Sequence, residues 1–209
     1  MQRLDFKTKK CLLKNLTWLG VGGSANIFKP ENTKELCNFV KSKNFFTIGA
    51  GSNILAPEKI DKYILRLGRN FNYIKLENDQ IVAGCAALDT SVARFALDNR
   101  ISGFEFFSVI PGTVGGAIAM NAGAYGSQTS DVLKSIRAVN DNGEIIEIKS
   151  EQAGFQYRCN KLSKDLVFFE AIFEAKKGQK DEIKGKMAQM IQKKTTKPAS
   201  KLQNLWVYI

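Results

Sequence analysis

Between Phe106 and Ser130 the chain carries no charged residue. This stretch, FFSVIPGTVGGAIAMNAGAYGSQTS, is long enough to cross a bilayer. It also holds Pro111, five glycines, Asn121 and Gln128, with few large aliphatic side chains. A lipid-facing helix would be richer in Leu and Ile, so a membrane span is set aside. What remains is uncharged backbone that lets something come close. Pro111-Gly112 reads as a turn. Gly115-Gly116 strips side chains from a surface that a large ligand could approach, and Ala117, Ala119 and Ala122 keep the following segment thin. Asn121 is a polar group among small apolar neighbours, suited to holding a polar edge of that ligand. The competing reading of this segment is close packing of a helix on a sheet.

A second glycine-rich segment, Gly49-Ala50-Gly51-Ser52-Asn53, follows the apolar run FFTI. Glycines at 49 and 51 permit positive φ, so consecutive N–H groups can point into one concavity. Such a nest binds anionic oxygen, typically phosphate, with the Ser52 hydroxyl and Asn53 amide as further donors. The segment lacks the third glycine of a Rossmann fingerprint and the GK[ST] of a P-loop. A glycine turn that merely closes a strand is the alternative. Two distant glycine-rich segments can clasp one extended cofactor, one taking its phosphates and the other its flat part. GCAA at 84–87 offers a third thin patch, or simply core. In FQYRCN at 155–160, Arg158 beside Tyr157 could bind an anionic substrate or stabilise developing negative charge. An ordinary surface arginine is the other reading.

Composition narrows the chemistry. The 209 residues include no histidine, which removes His-based triads, His-ligated metals and imidazole acid–base catalysis. The four cysteines, Cys11, Cys37, Cys85 and Cys159, form no CxxC pair, so structural zinc, thioredoxin-type redox chemistry and a disulfide framework are poor readings. Reduced thiols in a cytoplasmic protein are the simplest account. The net charge of +11 sits at the two ends. From Lys176 onward nine lysines face only Asp181 and Glu182, residues 1–14 hold five cations against Asp5, and the body between is neutral. A nucleic-acid binder would more naturally spread its cations over a folded face. Solvated helix faces explain the ends, with a polyanion-binding tail as the alternative. The opening MQRLDFKTKK has no apolar core of signal-peptide length.

The expected elements are a strand within 17–30, a helix over 33–42 capped by Thr33, and a strand running into the Gly49 loop. Alternating strands follow at 62–67 and 72–76, then a turn at Asp79-Gln80, a strand at 81–87 and a helix over 90–99. Asp141-Asn142-Gly143 between two apolar runs is the strongest hairpin signal in the chain. A strand over 166–175 and a basic amphipathic helix over 181–193 complete the pattern. Strands that neighbour in sequence and outnumber helices favour an α+β fold with antiparallel or mixed sheets.

TWLGVGGSANIF (17–28), GAGSNIL (49–55), VAGCAAL (82–88), SGFEFFSVIPGTVGGAIAMNAGAYG (102–126) and FQYRCN (155–160) resemble, in order and spacing, the UDP-N-acetylenolpyruvoylglucosamine reductase family of bacterial peptidoglycan synthesis. The likeness covers about residues 15–198. It implies an FAD-binding fold of the PCMH/vanillyl-alcohol-oxidase type, with one α+β subdomain over 1–70, a second over 71–178 and a linking helix over 179–198. It implies FAD as cofactor, NADPH as co-substrate and a UDP-sugar enolpyruvyl ether as substrate, reduced to UDP-N-acetylmuramate without nucleic acid or membrane. Carried over by motif, Gly49, Ala50, Gly51, Ser52 and Asn53 would bind the FAD pyrophosphate. Gly112, Thr113, Gly116, Ala117 and Asn121 would line the flavin, and Tyr157 and Arg158 would face the substrate, with Arg158 stabilising the enolate. After Lys197-Pro198 the likeness stops. The family's C-terminal substrate domain, with its proton-donating serine, has no counterpart, and 199–209 reads as an aberrant tail. Expected with it are a chain of strongly reduced activity, a flavin-binding fragment, or half of a split enzyme completed by a second chain.

Overall fold

The computed structural model describes residues 6–41, 44–196 and the backbone of 207–208. In chain order the first elements are β1 (Thr8–Leu12), β2 (Ser24–Phe28), α1 (Thr33–Val40), β3 (Phe45–Thr47), β4 (Ile54–Leu55) and β5 (Tyr63–Leu65). They build a mixed four-stranded sheet of order β1-β2-β5-β3, in which β1 and β2 are antiparallel and β5 runs parallel to both β2 and β3. α1 is the crossover from β2 to β3, which lie on either side of β5 and run parallel to it. It buries Leu36, Phe39 and Val40, and Phe39 stacks on Phe28 with ring centroids 4.2 Å apart.

The cap of α1 is Asn32 rather than Thr33. The Asn32 side chain accepts from Glu35 N–H at 2.9 Å, and the Glu35 carboxylate accepts in return from Glu31 N–H and Asn32 Nδ2. Asn-x-x-Glu satisfies two orphan donors reciprocally, which a cap one residue later could not do. The helix is described to Val40, and the expected end at Ser42 lies outside the described residues.

The second sheet is fully antiparallel: β6 (Ile74–Glu77), β7 (Gln80–Gly84), β11 (Leu133–Val139), β12 (Ile145–Lys149) and β13 (Val167–Glu174), in the order β12-β11-β13-β7-β6. The Asp141-Asn142-Gly143 hairpin joins β11 to β12, with Gly143 at φ +74°. The expected strands at 62–67 and 72–76 form, but a 3-10 turn at Arg69–Phe71 carries the chain between them, and they belong to different sheets. The β6–β7 turn is Asn78-Asp79, both at positive φ, one residue earlier than expected.

Over this sheet lie α2 (Asp89–Asp98), a 3-10 segment at Glu105–Val109 and α3 (Val114–Ala119), with the short pairs β8 (Ile101–Ser102) and β14 (Lys176–Lys177), and β9 (Gly123–Ala124) and β10 (Ser127–Gln128). Phe104, Phe106, Phe107 and Phe173 are fully buried there. A second cluster joins Phe28, Leu36, Phe39 and Phe71 to Val139, Val167 and Phe169, so the two sheets share a core. α4 (Lys180–Thr196) packs through Ile183, Met187 and Met190, an apolar stripe at spacings of four and three that leaves its other faces to lysines. Among the described residues no helix is long and apolar enough to cross a membrane. Of the tail over 199–209, only the Val207–Tyr208 backbone is described, as a strand (β15) parallel to β4.

Replacing Asn32 by Ala should lower stability by about 1 kcal/mol, and replacing Thr33 by Ala by far less. Urea midpoints of the two variants check which residue caps α1; equal losses would contradict the assignment.

Candidate functional site

The two glycine-rich segments meet. Past β3, the loop Gly49–Asn53 turns toward the loop Pro111–Thr113. A Cβ at Gly49 would lie 2.4 Å from Thr113 Oγ1, and Ser52 Oγ donates to the Pro111 carbonyl at 2.7 Å. Positive φ, expected at both glycines of the first loop, occurs at Gly51 alone, at +73°. Gly51 is also covered from behind: its Cβ would lie 1.9 Å from the Leu16 carbonyl, and its own carbonyl accepts from Trp18 N–H at 3.0 Å. Gly49 is glycine because of the loop opposite. Among the described residues, the N–H groups of Gly49, Ala50, Gly51 and Ser52 meet no protein acceptor. Consecutive amide donors around a left-handed glycine suit anionic oxygen.

The second segment is strapped down by backbone. Asp89 N–H donates to Gly112 O, Val114 N–H to Ala87 O and Gly115 N–H to Cys85 O, at 3.2, 2.9 and 3.0 Å. The thin GCAA patch is therefore floor, with Cys85 and Ala87 buried under the strap. The glycines along it have separate causes. A Cβ on Gly84 would strike Phe71 O at 2.0 Å, and one on Gly115 would press on Cys85 at 3.2 Å. Gly116 has no such cause. It is exposed, and the nearest atom to its Cβ would be Thr113 Oγ1 at 3.6 Å. Bare backbone on this exposed turn leaves room for another group to approach. Together with the N–H nest it fits a dinucleotide carrying a flat ring. Thr113 and Ala117 are buried beneath that turn.

Asn121 belongs to the same segment, but its amide is spent on the protein. Nδ2 donates to Gln128 Oε1 and to Gln156 O at 3.1 and 3.2 Å, and Oδ1 accepts from Ser130 N–H at 3.0 Å. Its left-handed φ of +39° aims the side chain inward. It staples the 155–160 turn to the β9–β10 hairpin. Arg158, at φ +59°, is fixed beside it, donating from Nη2 to Gly123 O at 3.1 Å with its guanidinium 5.4 Å from the Tyr157 ring. Tyr157 is 80% exposed. Arg158 and Tyr157 thus stand at the far end of the second segment, and no hydrogen bond among the described residues joins them to Gly49–Asn53.

Two buried polar groups were not anticipated from the sequence. Glu170 on β13 accepts from Arg137 Nη1 of β11 at 2.7 Å and from the hydroxyl of Tyr73, the residue before β6. This raises the Tyr73 phenol well above its ordinary value, first by burial and then by the Glu170 contact. Asp89, the first residue of α2, is fully buried with both carboxyl oxygens unpartnered, and burial lifts it from 3.8 to about 8. Asp-Thr-Ser before an apolar run reads as an ordinary helix start, which hides a carboxyl directed into the core.

The family model for an FAD binding domain matches residues 24–149. The chain is 40% identical over 198 residues to UDP-N-acetylenolpyruvoylglucosamine reductase of Pelagibacter ubique (strain HTCC1062), covering 91% of this chain and 66% of that protein. To the protein of the same name from Rickettsia typhi (strain ATCC VR-144 / Wilmington) it is 42% identical over 181 residues, covering 84% and 61%. The chain therefore spans 61–66% of the length of these curated relatives. The crystal structure of UDP-N-acetylenolpyruvylglucosamine reductase from Thermus caldophilus superposes with a TM-score of 0.85 at 28% identity, over 93% of this chain and 71% of that one. Alkyldihydroxyacetonephosphate synthase, at 16% identity and a TM-score of 0.55 over 76% of this chain and 33% of that one, shares the fold.

Asp89 makes a stability prediction. From about pH 4 to about pH 8 its carboxyl is ionised in the unfolded chain and neutral in the folded one. The folded state then binds the extra proton, so stability falls as pH rises through this window, by about 1 kcal/mol per unit. Asp89→Asn should remove that slope, read as urea midpoints of the ligand-free chain at pH 4, 6 and 8. Parallel profiles for variant and parent would refute the assignment.

Proposed function

The chain belongs to the FAD binding domain family, and we propose that it is the flavin-holding part of a UDP-N-acetylenolpyruvoylglucosamine reductase acting in the cytoplasm on a peptidoglycan precursor. The reading rests above all on one observation. The Gly49–Asn53 loop and the Pro111–Thr113 loop touch, through Gly49 against Thr113 and Ser52 against Pro111, beside the exposed and unencumbered backbone of Gly116. Bound FAD would supply hydride transfer from NADPH to the vinyl carbon of the enolpyruvyl ether, which with a proton added at the adjoining carbon gives the lactyl ether of UDP-N-acetylmuramate. The residues divide the remaining work. N–H groups of Gly49 to Asn53 bind the diphosphate. Gly112, Thr113, Gly116 and Ala117 form the wall against which the flat ring lies, and Asn121 holds that wall in place by its bonds to Gln128, Gln156 and Ser130. Arg158, steered by Gly123 O and Tyr157, is the group that meets the substrate carboxylate and offsets the negative charge that grows beside it. In this reading residues 1–70 and 71–178 are the two flavin-binding subdomains, joined to whatever follows by the helix within 179–198.

Gly116 supplies the test. A side chain there meets no protein atom closely, and leaving glycine raises helix propensity by up to about 1 kcal/mol. Gly116→Leu should therefore melt no lower than the parent, yet bind FAD at least about ten-fold more weakly, because a leucine would occupy the ring's place. Flavin fluorescence titration with a parallel melting curve reads both. A parent chain that binds no FAD, or a Gly116→Leu chain that binds it equally well, would overturn the reading.

A further inference from the structure

An aspartate in the first turn of a helix ordinarily keeps its carboxylate in water near the free amides of that turn. Asp89 does not. Neither oxygen has a partner and the side chain is fully buried. It is aimed at the loop contact described above: a Cβ on Gly112 would lie 2.9 Å from Asp89 Oδ2 and 3.8 Å from Ser52 Oγ. Its own N–H holds the Gly112 carbonyl. The Asp89 carboxyl, the Ser52 hydroxyl and the Gly112 backbone thus crowd one point, where the anion-binding loop meets the strap. An unpartnered carboxyl in that place is costly to the fold, and nothing in the packing of α2 calls for it.

We propose that Asp89 is a proton-linked gate on the dinucleotide: with its carboxyl neutral the diphosphate settles on the Gly49–Asn53 loop, and with its carboxyl ionised the diphosphate is repelled. The inference rests on the flavin reading and adds a regulating group to it. Repulsion between like charges is strong where water is excluded, and among the described residues no cation pairs with Asp89 to relieve it. The loops Gly49–Asn53 and Pro111–Gly115 carry no charge. From the 84–88 floor comes Cys85, whose thiol is kept neutral by burial and by the Glu170 and Asp89 carboxyls. Glu170 beyond it is engaged by Arg137 and Tyr73. On the 3-10 segment, Glu105 Oε2 accepts from Gly103 N–H. Arg94 on the same helix pairs with Asp98, and Lys194 of α4 donates to Val109 O. Burial is accordingly the cause of the raised Asp89 value, about 8.

The linkage has a definite sign. Only the neutral fraction of the ligand-free chain is competent, and that fraction falls as pH rises through 8. The apparent Kd for FAD should therefore rise about ten-fold between pH 7 and pH 9. By reciprocity, binding takes up a proton, about half of one per FAD at pH 8. The experiment is titration of the purified chain with FAD at pH 7, 8 and 9, by flavin fluorescence for Kd and by calorimetry in two buffers of different ionisation heat for the proton count. The parent should show both effects, and Asp89→Asn neither. Should Asp89→Asn fail to fold, the parent's proton count decides together with its buried carboxyl stretch in the infrared, which should vanish between pH 7 and 9 without FAD and persist with it. FAD binding with a flat pH profile and no proton uptake, or an Asp89→Asn chain that keeps the parent's profile, overturns the gate and leaves the flavin reading standing. No FAD binding at any pH overturns both.

Discussion

The site exists because two loops far apart in sequence are held in contact without side chains large enough to fill the space between them. A side-chain hydrogen bond across that contact runs from Ser52 Oγ to Pro111 O. A neutral bond of this kind contributes about 1 kcal/mol, too little to position two loops. The positioning comes from below. On one side the Phe28–Phe39 stack and its neighbours fix the mixed sheet that carries Gly49. On the other, Phe104, Phe106, Phe107 and Phe173 fix the antiparallel sheet and the segment leading to Pro111. Phe71, Val139, Val167 and Phe169 weld the two together. Large aromatic side chains in the core are what allow the surface above them to be bare.

Glycine is abundant at this surface, but its uses are separable by asking what a methyl group would strike. Gly51 needs a left-handed backbone and has the Leu16 carbonyl against it. Gly84 is required by the Phe71 carbonyl, and side chains at Gly49, Gly112 and Gly115 would crowd Thr113 Oγ1, Asp89 Oδ2 and Cys85. Each of these glycines has a packing reason, so its being glycine does not by itself point to a ligand. Gly116 is the remainder. It forgoes helix propensity inside α3 with no packing return, and it does so on the exposed side of the strap. A functional inference drawn from glycine content as a whole would have been weak. Drawn from Gly116, the glycine of this surface that no close protein atom requires, it is more specific.

Much of the architecture was legible in the residues because it is local. Asp141-Asn142-Gly143 specifies its hairpin through φ at Gly143, and the Ile183, Met187, Met190 stripe places α4. What escaped was long-range or inward. Alternation in KYILRL and NYIKL identifies two strands but cannot say that Arg69–Phe71 will carry the second into another sheet. Asn121 looked like a ligand contact because polarity among small residues has two causes, and only the positions of Gln156 and Ser130 distinguish them. Asp89 was concealed by a position at which an aspartate is commonplace. At the site, Gly49–Asn53 and Pro111–Thr113 were readable as loops. Their contact was not, since it depends on how two sheets dock.

The electrostatics of the clasp follow from where the charges are. The chain's net charge of +11 resides in its first fourteen residues and from Lys176 onward, and the body between is neutral. Lys194, close to the strap, is committed to Val109 O, where it braces the run into Pro111. No described side-chain cation therefore bonds to the loop that would take a diphosphate. Attraction there must come from oriented N–H groups, whose partial charges are small and fixed in direction. A clasp of that kind tolerates no like charge nearby. In a strongly cationic pocket an ionised Asp89 would be one term among several. In this one it would have no described side-chain cation to offset it, which is why the protonation of a single buried carboxyl can govern the whole contact.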